Sequence, residues 1–126
     1  MIVVATDAQL SDRNLTRLAK RAIAGLSHTG ASLTNGTSGY VIAFSTHKGV
    51  RRTAQWRNSL SMYQEVPNNR MSPLFQATIE TTEEAIYNSL LMATTTESYN
   101  VVQQKMVRVE ALPIGEVQKT LKRNKP

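Results

Sequence analysis

The first apolar run of the chain predicts a β-strand at its very start. Residues 2–4, Ile-Val-Val, lead directly into the turn-like segment Thr6-Asp7-Ala8. Such a run is typical of a strand that is buried on both faces, and a central strand needs neighbours on either side. No cap, signal or linker precedes this strand, so we expect that sequence upstream of Met1 is missing.

Helical spacing follows this strand. The segment Leu10–Asn14 contains a helix start, because Ser11 or Asp12 can accept hydrogen bonds from the unpaired amides of a first turn. Apolar residues then recur on one predicted face and basic residues on the other. The apolar set is Leu15, Leu18, Ala19, Ala22 and Leu26, and the basic set is Arg13, Arg17, Lys20 and Arg21. We expect the helix to end between residues 25 and 30.

A turn, a second strand and a long loop come next. The glycines of Thr34–Gly39 permit backbone conformations that other residues avoid. Tyr40–Thr46 is rich in β-branched and aromatic residues, which predicts a strand. Residues 47–70 show weak periodicity, and we interpret them as a long surface excursion. Within it, Trp56 and Tyr63 either line a substrate rim or anchor the excursion, and both interpretations stay open.

The remaining residues predict a long helix, a strand and a short helix. Ser72 is a suitable cap and Pro73 suits a first helical position, and one apolar face then continues to about residue 95: Phe75, Ile79, Thr82, Ile86, Leu90 and Ala93. Residues 97–104 are polar and predict a loop. Residues 106–112 alternate like a half-buried strand, and Pro113 opens a helix whose inward positions are Ile114, Val117 and Leu121.

This order of elements implies a sheet that is covered by helices. The predicted fold class is therefore an α/β or α+β layered fold. The chain shows no internal repeat, so we expect residues 1–126 to form a single domain.

The composition narrows the function classes. The chain has no cysteine and a net charge of +6, from 15 Lys and Arg against 9 Asp and Glu. No apolar run approaches the roughly 18 residues of a spanning helix, and no secretion signal is evident, so we expect no membrane partner and a cytoplasmic location. The basic residues lie on a helix face, in a loop and near the C-terminus, without a recognition motif. We therefore expect no nucleic-acid partner.

The titratable side chains form no recognisable metal or catalytic motif. His28 and His47 are the only imidazoles, and no ligand spacing accompanies them, so we expect no metal and no cofactor. Asp7 at a strand end is more typical of a turn residue than of a catalytic acid. Glu83 and Glu84 are adjacent on a predicted helix and point about 100° apart, so they do not converge on one substrate atom.

Four segments resemble the C-terminal chain of the L-aminopeptidase/D-esterase family, which includes the β-peptidyl aminopeptidases. They are IVVATDA at residues 2–8, NGTSGYVIAFST at Asn35–Thr46, PLFQATIETTEEAIYNSL at Pro73–Leu90 and VEALP at Val109–Pro113. The resemblance covers nearly the whole chain in the same order. It implies an αββα sandwich similar to the N-terminal nucleophile hydrolases, of which this chain would form the C-terminal part.

The resemblance also implies a self-cleaving precursor. In the family, cleavage before a Ser or Thr makes that residue the N-terminal nucleophile of the smaller chain, where a free amine or neighbouring group can take its proton. By the family pattern this Ser would lie one or two positions before Met1. The resemblance then implies a companion N-terminal chain, a peptide, amide or ester substrate, and a homo-oligomer.

The loop before the second strand departs from the family pattern. Family members commonly have Asn-Gly-Ser-Gly followed by Asp or Glu, whereas this chain has Asn35, Gly36, Thr37, Ser38 and Gly39. Either Thr37 or Ser38 supplies the candidate catalytic hydroxyl, and the resemblance assigns Asn35, Gly36 and Gly39 to substrate binding. No carboxylate stands at residue 39, so proton handling is weakened. Taken alone, Asn35-Gly36 favours a tight turn into the strand, whereas with the resemblance a tight turn and a substrate-binding role stay equally open.

Three functional hypotheses remain. The first is the C-terminal chain of a serine-type aminopeptidase that lacks its nucleophile and is inactive alone. The second is a non-catalytic interaction or assembly subunit with the same fold, which the loop departure motivates. The third, an acyltransferase of the ornithine acetyltransferase kind, matches the sequence segments less well.

Overall fold

The computed structural model describes residues 1–35 and 39–124, in two compact units of Met1–Glu84 and Ala85–Pro126. In chain order the elements are β1 (Ile2–Thr6), α1 (Asp12–His28), β2 (Val41–Ser45), α2 (Ala54–Arg57), α3 (Ser72–Leu91), β3 (Thr96–Asn100), β4 (Lys105–Val109) and α4 (Ile114–Arg123). Mixed helices and strands confirm the predicted α/β class. That all residues form one domain stays a prediction.

A parallel strand pair with one helix against it forms the base of the first unit. β1 and β2 pair in the register Ile2↔Val41 to Thr6↔Ser45, and α1 packs on them. Burial alternates along both strands. Val4 and Ala43 pack beside the core, whereas Val3 and Ile42 are each more than half exposed on the other face. Within the described residues the sheet is thus covered on one face.

The predicted cap of α1 is wrong in its mechanism. Ser11 occupies the N-cap position, but its side chain makes no capping hydrogen bond. Instead the Glu65 carboxylate accepts from the Ser11 amide at 3.3 Å and from Asn14 Nδ2 at 3.4 Å. A carboxylate at a helix N-terminus is stabilised by the exposed amides and the helix dipole. A carboxylate from the distant excursion therefore binds the start of α1 at the amide of its N-cap residue.

The buried stripe of α1 includes two residues that apolar spacing does not find. Asn14 and Gly25 are buried together with the expected Leu18 and Ala22. Arg17 was predicted on the solvated face, but it is half-buried and donates to Asn14 Oδ1 at 2.9 Å.

Phe75 of α3 explains why basic residues of α1 are not fully solvated. The guanidinium groups of Arg17 and Arg21 lie 4.8 and 4.6 Å from the centroid of the Phe75 ring. Cations over aromatic faces are attracted by the ring quadrupole, so part of the basic face packs against α3.

The excursion between β2 and α3 closes the core of the first unit. It contains two short 3₁₀ turns and α2, and its end delivers Met71, which is fully buried with Leu10 and Leu18. The Val66 amide donates to the carbonyl of Gln9 at 2.9 Å. The excursion is therefore tied to the segment between β1 and α1.

The second unit contains a β-hairpin and a short helix. The polar loop predicted at residues 97–104 is wrong over Thr96–Asn100, which pairs antiparallel with Lys105–Val109. Asn100 Oδ1 accepts from the Gln103 amide at 2.9 Å, and Gln104 has φ 48°, so the chain turns within four residues. The helix at Pro113 is confirmed, but Ile114 and Leu121 are exposed rather than inward.

Candidate active site at the amino ends of the first two strands

The amino ends of β1 and β2 meet at one edge of the parallel pair. The Ile2 amide donates to the carbonyl of Tyr40 at 2.8 Å, and Ile2 pairs in register with Val41. Both strands run in the same direction. Met1 and Tyr40, which directly precede the two strands, therefore lie at the same edge of the sheet.

Gly39 packs closely against α1 at this edge. A Cβ atom at residue 39 would lie 3.3 Å from Cδ1 of Ile23, which is the far end of a flexible side chain. The backbone conformation of Gly39 is not in the left-handed region. A residue with a side chain can therefore stand at position 39 if Ile23 shifts by a few tenths of an ångström.

The loop that carries the candidate hydroxyls is described at its two sides. Asn35 lies in an exposed turn, shortly after Leu33 with φ 49°. Gly36 and the candidate catalytic residues Thr37 and Ser38 lie outside the described residues. Among the predicted site residues, the structure brings Gly39 to the start of β1.

The discounted candidates occupy surface positions. Asp7 is exposed just after β1, where the turn is closed by the Ala8 amide donating to Thr6 Oγ1 at 3.1 Å. Glu83 pairs with His28 Nδ1 at 3.2 Å, so its carboxylate serves a surface contact. Over residues 1–35 and 39–124, no group of three or more His, Asp and Glu side chains is arranged to hold a metal ion.

Trp56 and Tyr63 lie at the other end of the strand pair. Both side chains line one cavity beside Phe44 and Ser45, at the carboxyl end of β2. Lining of this cavity does not decide between a substrate rim and an anchor for the excursion, and both interpretations stay open. The cavity itself was missed, because its walls come from three segments whose meeting no local pattern encodes.

No helix within the described ranges is long and apolar enough to cross a membrane.

Known proteins provide an independent comparison. Over 98% of its length the chain is 34% identical to the β-peptidyl aminopeptidase BapA of Sphingosinicella microcystinivorans, and it covers 29% of that protein. Over 97% of its length it matches the L-aminopeptidase D-Ala-esterase/amidase of Ochrobactrum anthropi, with 27% identity and a TM-score of 0.80. That enzyme is a prototype for the serine aminopeptidases and a variant of the Ntn hydrolase fold.

The chain is also similar to a solved structure of a protein from Pyrococcus horikoshii, with 39% identity, a TM-score of 0.80 and 97% of this chain covered. The chain spans about a third of the length of both solved structures, 33% in each case. These similarities confirm the predicted resemblance and the predicted fold type. The model of Peptidase family S58 matches residues 1–107, and the chain belongs to that family.

Proposed function

We propose that the chain is the C-terminal, nucleophile-side part of a self-processing serine-type aminopeptidase. The complete enzyme would release N-terminal amino acids from peptides, amides or esters through an acyl-enzyme. Membership of Peptidase family S58 and similarity to two aminopeptidases support an activity of this type.

The hydrogen bond between Ile2 and Tyr40 is the observation that carries this proposal. It joins the start of β1 to the residue that directly follows Gly39. A Ser placed ahead of Met1 would then begin its chain next to the loop with the candidate hydroxyls. Nucleophilic Ser needs a neighbouring group that takes its proton, so a terminal Ser beside a polar loop suits acyl transfer.

Thr37 and Ser38 are the candidate catalytic hydroxyls, and Asn35, Gly36 and Gly39 are the candidate substrate-binding residues. Gly39 stands where the family has an acid and contributes no carboxylate. We infer that proton transfer is the weak step of this site, because general acid and base groups typically contribute about 10²- to 10⁴-fold.

The proposal requires a companion chain. The outer face of the strand pair is apolar and uncovered within the described residues, since Val3 and Ile42 are 55% and 54% exposed. A companion N-terminal region of the same precursor would cover such a face. The 126-residue chain alone should therefore be inactive and should associate with itself.

The test is reconstitution of the complete enzyme. The companion region of a family member is joined ahead of Met1 so that it ends in Ser, and the product is assayed for self-cleavage and for hydrolysis of amino acid p-nitroanilides. Cleavage before the added Ser and hydrolysis are the expected results, and both should be absent when Ala replaces that Ser. Hydrolysis by the 126-residue chain alone that survives Thr37→Ala and Ser38→Ala would overturn the assigned site.

A second candidate function is a non-catalytic interaction or assembly subunit. The missing acid at Gly39 favours it, because this departure is independent of any missing segment. The same reconstitution separates the two functions. A chain that assembles with the companion but neither cleaves itself nor hydrolyses substrate, even with Gly39→Glu, fits the subunit and excludes the aminopeptidase.

A further inference from the structure

A cavity of about 330 Å³ opens at the carboxyl end of β2. It lies at the opposite end of the strands from the candidate active site, roughly 16 Å away by the rise of five strand residues. Its volume is at the lower end of the range for small-molecule sites. In open α/β sheets, ligands commonly bind outside the carboxyl ends of the strands. The cavity therefore has the size and position of a separate ligand site.

The floor and one wall of the cavity are apolar. Leu10, which is only 1% exposed, and Leu15 line it from the α1 side, and Phe44 lines it from β2. Trp56 and Tyr63 add aromatic walls from the excursion. A ligand that fills this space must therefore carry an apolar group.

Two opposite charges also face this cavity. Asp12 lines it from the start of α1, and Arg52 lines it from the excursion. The Arg52 guanidinium lies 5.6 Å from the centroid of the Tyr63 ring, which holds it over the aromatic wall. Among the described residues, the ion pairs involve His28, Glu83, Glu97, Arg108 and Glu110, so Asp12 and Arg52 are not neutralised by a partner.

Further polar groups of the lining are equally free within the described part of the chain. The Ser11 and Tyr63 hydroxyls and the Trp56 indole nitrogen make no hydrogen bond there. The Ser45 hydroxyl differs, because it donates to the carbonyl of Ala8 at 2.6 Å and so serves the structure. The Ser11 and Tyr63 hydroxyls and the Trp56 indole nitrogen are therefore available for hydrogen bonds with a bound ligand.

Hydrogen bonds on the excursion preserve the shape of the cavity. Thr53 Oγ1 accepts from the Trp56 amide at 3.2 Å and so caps the helix that carries Trp56. Glu65 binds Ser11 and Asn14 at the start of α1. A wall that is fixed before binding reduces the ordering cost of a ligand.

We propose that this cavity binds a free α-amino acid with an apolar side chain. The carboxylate of Asp12 receives the ligand's ammonium group, the guanidinium of Arg52 receives its carboxylate, and the aromatic and aliphatic walls receive its side chain. An amino acid is the small ligand class that combines both charges with an apolar group. The lining of the cavity alone defines this site, which is independent of the proposed hydrolysis.

The test uses the full chain and its own fluorescence. Trp56 is the chain's single tryptophan and lines the cavity, so its emission reports occupancy directly. The probes are L-leucine, L-leucinamide, which lacks the carboxylate, and N-acetyl-L-leucine, which lacks the ammonium group. We expect saturable binding of L-leucine and about ten-fold or more weaker binding of each blocked form, because hydrogen bonds between charged groups are the strong ones.

Two variants test whether Asp12 binds the ligand's ammonium group and Arg52 binds its carboxylate. Asp12→Asn should abolish the preference for L-leucine over N-acetyl-L-leucine, and Arg52→Met should abolish the preference over L-leucinamide. Asp7→Asn and Arg57→Met make the same charge changes away from the cavity lining and should leave both preferences intact.

The ligand series on the unaltered chain keeps the proposal falsifiable even if a variant fails to fold. Equal binding of the three probes would show an apolar cleft without amino-acid recognition and would overturn the proposal. No saturable fluorescence change with L-leucine up to about 10 mM would also overturn it.

Discussion

A Cβ atom at residue 25 would lie 2.5 Å from the carbonyl oxygen of Ile79, so Gly25 marks a close backbone approach of α1 to α3. The same atom would lie 2.9 Å from Cβ of Thr82. Neither neighbour is the end of a flexible side chain. The two helices can pack at this distance only because residue 25 has no side chain.

The first prediction is that Gly25→Ala destabilises the first unit. Alanine gains up to about 1 kcal/mol of helix propensity, but overpacking against a backbone carbonyl costs about 1–3 kcal/mol. We expect the free energy of unfolding, measured in urea by Trp56 fluorescence, to fall by about 1–2 kcal/mol. Gly115→Ala is the control, because nothing lies within 4 Å of a Cβ there. It should not destabilise α4, and a Gly25→Ala chain of unchanged stability would contradict the packing argument.

The second prediction concerns the buried amide of Asn14. Its side chain has no exposed surface, donates to Glu65 and accepts from Arg17. Asn14→Ala removes both hydrogen bonds of this fully buried side chain and should lower the free energy of unfolding by about 1–3 kcal/mol. Asn68→Ala removes another acceptor of Arg17, at an exposed position. This control should change the stability by less than about 0.5 kcal/mol, and equal losses in the two variants would refute the burial argument.

The third prediction concerns the missing acid. In the reconstituted enzyme, Gly39→Glu should raise hydrolysis by about 10²-fold or more, because it restores a general acid or base at the family position. Gly39→Ala is the control for the charge, because the Cβ atom of either variant would contact the same Cδ1 atom of Ile23. Only the glutamate adds a carboxylate, so a rise in hydrolysis that Gly39→Ala does not share is due to the charge. The measurement is kcat with an amino acid p-nitroanilide. Full activity with Gly39 unchanged would show that this position carries no chemistry.

The fourth prediction separates the two candidate hydroxyls. In the reconstituted enzyme, one of Thr37→Ala and Ser38→Ala should lower kcat strongly while the other has a small effect, because a single hydroxyl occupies the family Ser position. Thr37→Ser and Ser38→Thr are the matched controls that retain a hydroxyl. If both alanine variants keep full kcat, neither residue is catalytic.

The fifth prediction concerns association. Val3 and Ile42 are paired in register on the uncovered face of the strand pair and are 55% and 54% exposed. Large uncovered apolar faces and unpaired strand edges promote association. We expect sedimentation of the 126-residue chain to show oligomers at micromolar concentration, with fewer in a Val3→Thr, Ile42→Thr double variant that retains β-branched residues. A stable monomer of the unaltered chain would contradict this prediction.

Most helices and strands can be predicted from the sequence, because the residue patterns that mark them are local. β2 follows from the β-branched and aromatic run, and α4 from the proline at its start. β3 was missed because its residues Thr96–Asn100 are polar and mostly exposed, so no alternation marks them. Pairing with β4, rather than burial, makes this segment a strand.

Long-range partners account for the other differences. The start of α1 is predicted to within one residue of Asp12, but the carboxylate that binds there belongs to Glu65, more than fifty residues away. The burial of Asn14 cannot be predicted from apolar spacing. The cost of burying its polar side chain is offset by hydrogen bonds with Arg17 on the same helix and with Glu65 on a distant segment. At the candidate active site the sequence identified Gly39, whereas its contact with Ile23 required the folded chain.

The parallel pairing of β1 and β2 also sets an order for folding. Parallel neighbours need a crossover connection, and here α1 and the loop after it lie between the two strands. The hydrogen bond between Ile2 and Tyr40 therefore requires that this connection be closed first. Contacts between residues distant in sequence slow folding, because the chain loses the entropy of loop closure before the contacts stabilise it. We expect the edge that would hold the catalytic groups to be among the last parts of the first unit to form, so that slower formation of α1 delays the site itself.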